Sequence, residues 1–172
     1  MQLHVRSIMS TEVTLEKVRT LLKEFRTAMM ITTGPDGALH TRPMALQGDV
    51  STFGGTLWFF AAHDSEKMSE IGRGRTARLT LQSDAASIYM YMEGDAAEVA
   101  DKAKMKELYT PIIKTWFPEG LEDPNLTLIR IDAHRVTCWD SPGGMLRVLA
   151  AFAKSVATGK PGQGGEMGEL TL

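Results

Sequence analysis

The chain has 172 residues with 19 Lys+Arg against 21 Asp+Glu, a formal net charge of −2, which suits one domain and leaves no basic surplus for gripping a polyanion. Its 43% hydrophobic and 23% charged residues are ordinary globular proportions and exclude wholesale disorder. A single cysteine, Cys138, excludes an intrachain disulfide, and the longest apolar runs, 57–62 and 148–153, are six residues each, far short of the ~20 that a membrane span requires.

The first residues carry His4, Arg6 and Glu12 without an apolar run, so no secretory signal is expected. The expectation is a cytoplasmic protein with neither nucleic acid nor membrane as partner. Leu15, Val18, Leu22 and Phe25 then recur at helical steps, with Thr14 able to cap the first turn. Residues 28–33 read as a strand, Gly34-Pro35-Asp36-Gly37 as a hairpin turn, and 38–47 as the partner strand. Residues 56–62 form a nearly continuous apolar strand, expected to be covered on both faces.

A short helix begins at Asp64 or Ser65, with Met68 and Ile71 on its apolar side. Strands follow at 77–82 and around 88–93, where Ile88, Met90 and Met92 alternate with Tyr89, Tyr91 and Glu93. Residues 101–109 are helical and 127–139 make a long strand. Leu146, Leu149, Phe152 and Val156 stripe a helix over 145–157. The pattern predicts one domain over 1–158 and a mobile tail over 159–172 with glycines at 159, 162, 164, 165 and 168. About six strands with short helices between them predict an α+β, mainly β, barrel with helices outside.

Few residues carry chemistry. His4, His40, His63 and His134 show no metal-ligand spacing, so no zinc site is expected. The stretch Gly72-Arg73-Gly74-Arg75-Thr76-Ala77 mimics a dinucleotide fingerprint. Its glycines leave a helix and enter a strand, the reverse of what a phosphate-binding turn needs. Two other features are better candidates. His63-Asp64-Ser65-Glu66-Lys67 follows the buried strand. A strand ending at a helix N-terminus presents free amides, to which Ser65 adds a hydroxyl and Lys67 a charge, and such a turn can cradle a phosphate. The alternative is a capped helix with Lys67 in water. Thr41-Arg42-Pro43-Met44 marks a bare or bulged strand stretch, because proline cannot donate to a ladder. Arg42 and Met44 beside exposed backbone would suit a flat heteroaromatic ligand; the alternative is a plain edge strand.

Taken together, R-P-M-A-L-Q at 42–47, L-W-F-F-A-A-H-D-S-E-K at 57–67, W-F-P-E-G-L-E-D-P at 116–124 and W-D-S-P at 139–142 resemble the general stress protein 26 group. That group belongs to the pyridoxamine 5′-phosphate oxidase-like, FMN-binding split-barrel superfamily. The resemblance implies a six-stranded split β-barrel, a homodimer, and FMN (rather than FAD or the deazaflavin F420) in clefts between subunits. By position, it implies Arg42, Pro43 and Met44 along the flavin ring and ribityl chain, Phe60 and Ala61 at its edge, and Ser65 and Lys67 at its phosphate. Tyr89 and Trp139 would reach the flavin from the other subunit. Trp116 and Phe117 are expected to pack rather than bind.

Two positions depart from the full oxidases. Glu66 stands where those enzymes keep an arginine beside the lysine, and only Arg147 follows Trp139 where they carry an Arg-x-x-x-Arg grip on pyridoxal phosphate. The expected function is therefore an FMN-binding general stress protein, a flavin-dependent oxidoreductase of a small molecule other than vitamin B6. A flavin carrier or sensor without turnover is the alternative.

Overall fold

The structure is a computed structural model that describes residues 11–140 and 166–172. A two-residue strand, β1 (Thr11–Glu12), leads into α1 (Leu15–Leu22), whose first turn is capped by the Thr14 hydroxyl accepting from the Lys17 amide at 3.2 Å. Val18, Leu21 and Leu22 are buried along the stripe that the spacing predicts. The hairpin β2 (Thr27–Thr33) and β3 (Leu39–Ala45) follows. Its turn is closed by the Gly34 amide donating to the Ala38 carbonyl at 2.8 Å, with Gly37 at φ +82°, a backbone that favours glycine.

Strand β4 (Thr56–Ala62) leads into α2 (Glu66–Gly74), and Arg75 ends that helix in the left-handed region at φ +53° before β5 (Thr76–Ser83). Then come β6 (Ile88–Val99), α3 (Lys102–Leu108), short 3₁₀ turns at Pro111–Thr115 and Gly120–Glu122, and the long β7 (Leu126–Asp140). The chain ends in β8 (Glu166–Thr171).

Strand pairing explains the barrel. The order runs β4, β7, β6, β5, β2, β3 through antiparallel ladders. β3 returns to β4 through one isolated bridge, Gln47 to Trp58. The barrel is therefore closed on most of its girth and split between β3 and β4. Pro43 sits on β3 in register with Met29 of β2, on the edge strand that a missing donor demands.

β7 carries β4 on its first half and β8 on its second, from Arg135 to Asp140. This corrects the sequence reading at the C-terminus: residues 166–171 are not a mobile tail but a strand, which also pairs in parallel with β1. The reason is tertiary. The second half of β7 has an unpaired edge beyond β4, and backbone pairing there requires little of the added strand's side chains. The expected helix over 145–157 lies outside the described residues.

The barrel interior packs Phe59, Leu22, Met30, Leu79, Met92 and Ile131, among others. A second cluster of Phe60, Met105, Leu108, Ile113, Leu126 and Leu128 lies outside the barrel wall. Phe59 and Phe60 thus belong to different clusters, and β4 is covered on both faces, as its unbroken apolar run predicts. No helix among the described residues is long and apolar enough to cross a membrane.

Candidate functional site

The split between β3 and β4 opens onto a cleft of about 680 Å³. β3 contributes Pro43, Met44 and Ala45; the end of β4 contributes Phe60, Ala61 and Ala62; α2 contributes Lys67. The outer wall is the segment before β7, through Ile113, Trp116, Phe117, Asp123 and Asn125. The second apolar cluster fixes this wall, because Ile113 is buried against it and Phe117 packs on it.

The turn from β4 into α2 is held on both sides. Asn125 accepts the Asp64 amide at 3.1 Å and donates to the Asp64 carboxylate at 2.8 Å, while the His63 amide donates to the Asn125 carbonyl at 2.8 Å. Asp64 is therefore bound sideways rather than capping the helix. Ser65 is the N-cap residue, but its hydroxyl donates back to the Ala62 carbonyl at 2.6 Å and accepts no amide. The first-turn amides of Glu66 and Lys67 lack intrahelical acceptors, as at any helix start. Lys67 is half-buried and forms no ion pair among the described residues. Its ammonium is held below the usual lysine range, first by burial and then by the Arg42 guanidinium nearby. A lysine in that state, at the positive end of a nine-residue helix, gains by meeting an anion.

Of the residues picked out from sequence, Pro43, Met44, Phe60, Ala61 and Lys67 line this one cleft, whereas Ser65, the N-cap of α2, does not line it. Arg42 does not line it. Its guanidinium donates to Glu70 at 3.0 Å and to the Thr32 hydroxyl. Tyr89 and Trp139 do not line it either: they pair across β6 and β7 and, with Thr27, Met29, Thr80 and Tyr91, form a separate hollow of about 510 Å³.

Two features escaped the sequence reading. Trp116, expected to pack, lines the cleft and is 65% exposed. Glu70 is 2% exposed, yet ionised. Burial alone would raise its carboxyl, but hydrogen bonds from Thr32, His40 and Arg42 outweigh burial and hold it at about 2. The only sequence hint was the i, i+4 pair Glu66 and Glu70 on one helix side, which reads as solvated. His40, Glu66 and Glu70 offer ligand atoms within 4.8 Å of one another, a juxtaposition that no spacing along the chain announces. Arg42 already supplies a cation to Glu70 there.

Comparison with known proteins agrees with this architecture. The fold superposes on the crystal structure of a candidate general stress protein 26 from Jannaschia sp. CCS1 with TM-score 0.73, at 23% identity, over 90% of this chain and 96% of that one. The general stress FMN/FAD binding protein of Xanthomonas citri is 34% identical, with TM-score 0.62 over 73% of this chain and 87% of its own. Protein bli-3 of Neurospora crassa is 26% identical over 95% of this chain and 84% of its own length. Residues 13–162, which span the split barrel and every cleft residue named above, match the sequence profile of one family. The chain belongs to the pyridoxamine 5′-phosphate oxidase like family.

Proposed function

We propose that the cleft between β3 and β4 binds a flavin mononucleotide, with its phosphate at the first turn of α2 and its ring between Met44 on β3 and the Phe60-Ala61 end of β4. One observation carries this reading: a half-buried lysine in the first turn of α2 lines one apolar cleft with Pro43, Met44 and Phe60. The donor set fits such a ligand. Lys67 and first-turn amides suit a dianion, and flat apolar walls suit an isoalloxazine. The 34% identity with a protein named for FMN/FAD binding supports the same reading.

The protein's share of the work is positioning. β3 and β4 set the width of the slot, the wall at Trp116 and Phe117 covers its outer side, and Lys67 neutralises phosphate charge. When bound, the flavin supplies hydride chemistry at its N5, so the proposed activity is that of an oxidoreductase of a small molecule. A carrier or sensor role is the second reading, favoured by the few proton-transfer groups in the cleft: among the described residues, Lys67 and Asp123 are its titratable lining. Anaerobic bleaching of the loaded protein by NADPH supports turnover; a flavin that stays oxidised under any nicotinamide donor supports the carrier.

A second copy of the chain completes the proposed site. Met29, Tyr89 and Trp139 are exposed together on the outer sheet face, and Thr27 borders both this hollow and the cleft. A homodimer placing one subunit's Tyr89 and Trp139 over its partner's flavin covers that face.

The test is titration of wild type and Lys67→Ala with FMN and with riboflavin, which lacks the phosphate. Loss of one charge-assisted contact, about 1.5–3 kcal/mol, weakens FMN by roughly tenfold to a hundredfold. Riboflavin affinity stays within about twofold. Equal weakening of both ligands contradicts the phosphate assignment.

A further inference from the structure

Glu66 is the first residue of α2 and stands beside Lys67. A carboxylate in a first turn is drawn to the same amides and the same positive helix end as an incoming phosphate. Left free, Glu66 is a rival anion for the proposed cradle. The structure gives it another partner. His40 on β3 directs Nδ1 to the buried Glu70 carboxylate, and the same nitrogen lies 3.9 Å from the Glu66 carboxylate. Glu66 and Glu70 are one helical turn apart on one side of α2, and His40 faces both from the strand below.

We infer that His40 is a positioning residue for the phosphate site: as an imidazolium braced by Glu70, it draws the Glu66 carboxylate away from the helix start and leaves Lys67 and the first-turn amides to the ligand's phosphate. This rests on the flavin nucleotide reading above and explains how the chain tolerates an acid beside that lysine.

The charges around His40 favour the imidazolium. Glu70 and Glu66 face it from α2, Asp36 from the β2–β3 turn, and Arg42 lies on the same face of β3. Glu70 is fully engaged by Thr32, Arg42 and His40, so it braces the ring rather than competing for the cradle. The hydrogen bond to Glu70 is the largest influence and raises the imidazole above its ordinary 6.5, with Glu66 and Asp36 adding to it against partial burial. These contacts bias His40 towards its protonated form.

The experiment compares FMN and riboflavin affinities of the full chain at pH 6.5 for wild type, His40→Asn, Glu66→Gln and the double variant. Asparagine keeps a nitrogen donor near the place of Nδ1 but carries no charge. The FMN preference over riboflavin falls about fivefold in His40→Asn, holds in Glu66→Gln, and in the double variant returns to within about twofold of wild type. An undiminished preference in His40→Asn overturns the inference, as does a loss that persists in the double variant, since a merely structural histidine is needed whatever stands at 66.

A second measurement leaves His40 in place. Between pH 6 and 8.5 the FMN preference of wild type falls relative to that of Glu66→Gln, because deprotonation of His40 releases Glu66 only where Glu66 exists; parallel curves overturn the inference. If wild type itself shows no preference for FMN over riboflavin, the phosphate assignment fails and the inference falls with it. A preference that is present but indifferent to His40 removes the inference alone.

Discussion

Glu70 holds three elements together through one carboxylate: Thr32 of β2, His40 and Arg42 of β3, and its own helix α2. An ionised group that is 2% exposed is tolerable only with such partners. Glu70→Gln leaves the Arg42 guanidinium without its counter-charge, and the fold is expected to lose on the order of 3 kcal/mol at neutral pH. The pH dependence has a definite sign. The carboxyl is at about 2 in the folded protein against an ordinary 4.5, so its contribution is present above 4.5 and disappears as pH falls towards 2. Denaturant unfolding at a series of pH values checks this: the gap between wild type and Glu70→Gln narrows between pH 4.5 and 2, and a gap independent of pH contradicts the role assigned to Glu70.

At this scale the sequence was partly readable. Lys67 and Pro43-Met44, singled out by a charge at a helix start and a missing donor, line one cleft. The Arg42 contact to Glu70 had no local sign, because the two lie 28 residues apart along the chain. A glutamate between Met68 and Ile71 carries no local sign that it points inward.

Among the elements, β6 and β7 form the longest ladder, and its register shifts at Glu93/Gly94. Gly94 is required there by space. A Cβ at this position would lie 2.4 Å from the Asp132 carbonyl oxygen and 2.7 Å from the Ala133 Cα, both backbone atoms that cannot swing aside. Gly94→Ala must open the irregularity and is expected to cost about 2 kcal/mol. A urea unfolding curve shows this as a lower midpoint at unchanged slope, and an unmoved midpoint contradicts the close approach.

Most elements were legible, for identifiable reasons. The α1 stripe with its Thr14 cap, the Gly34–Gly37 hairpin and the two-sided burial of β4 are written in local periodicity and turn chemistry. β8 was not legible: Glu166-Met167-Gly168-Glu169-Leu170 has little strand alternation, and it is a strand because the far half of β7 offers an edge. The wall over 110–125 was half legible. Trp116 and Phe117 were expected to pack, and only the fold shows that Trp116 lines the cleft.

For the whole molecule, the split in the barrel is what makes room for the proposed site. Joined to β4 among the described residues by the Gln47–Trp58 bridge, β3 borders a cleft that the proposed flavin would share with two strands, Lys67 and an aromatic wall. The exposed Met29, Tyr89 and Trp139, the last two 43% and 39% accessible, mark the face on which the proposed second subunit rests. The most direct measurement is a crystal structure of the protein with FMN. The phosphate is expected on Lys67 and the first-turn amides of α2, the ring between Met44 and Phe60, and Tyr89 and Trp139 of a second copy over that ring. FMN lodged elsewhere, or seated with its phosphate away from Lys67, contradicts it.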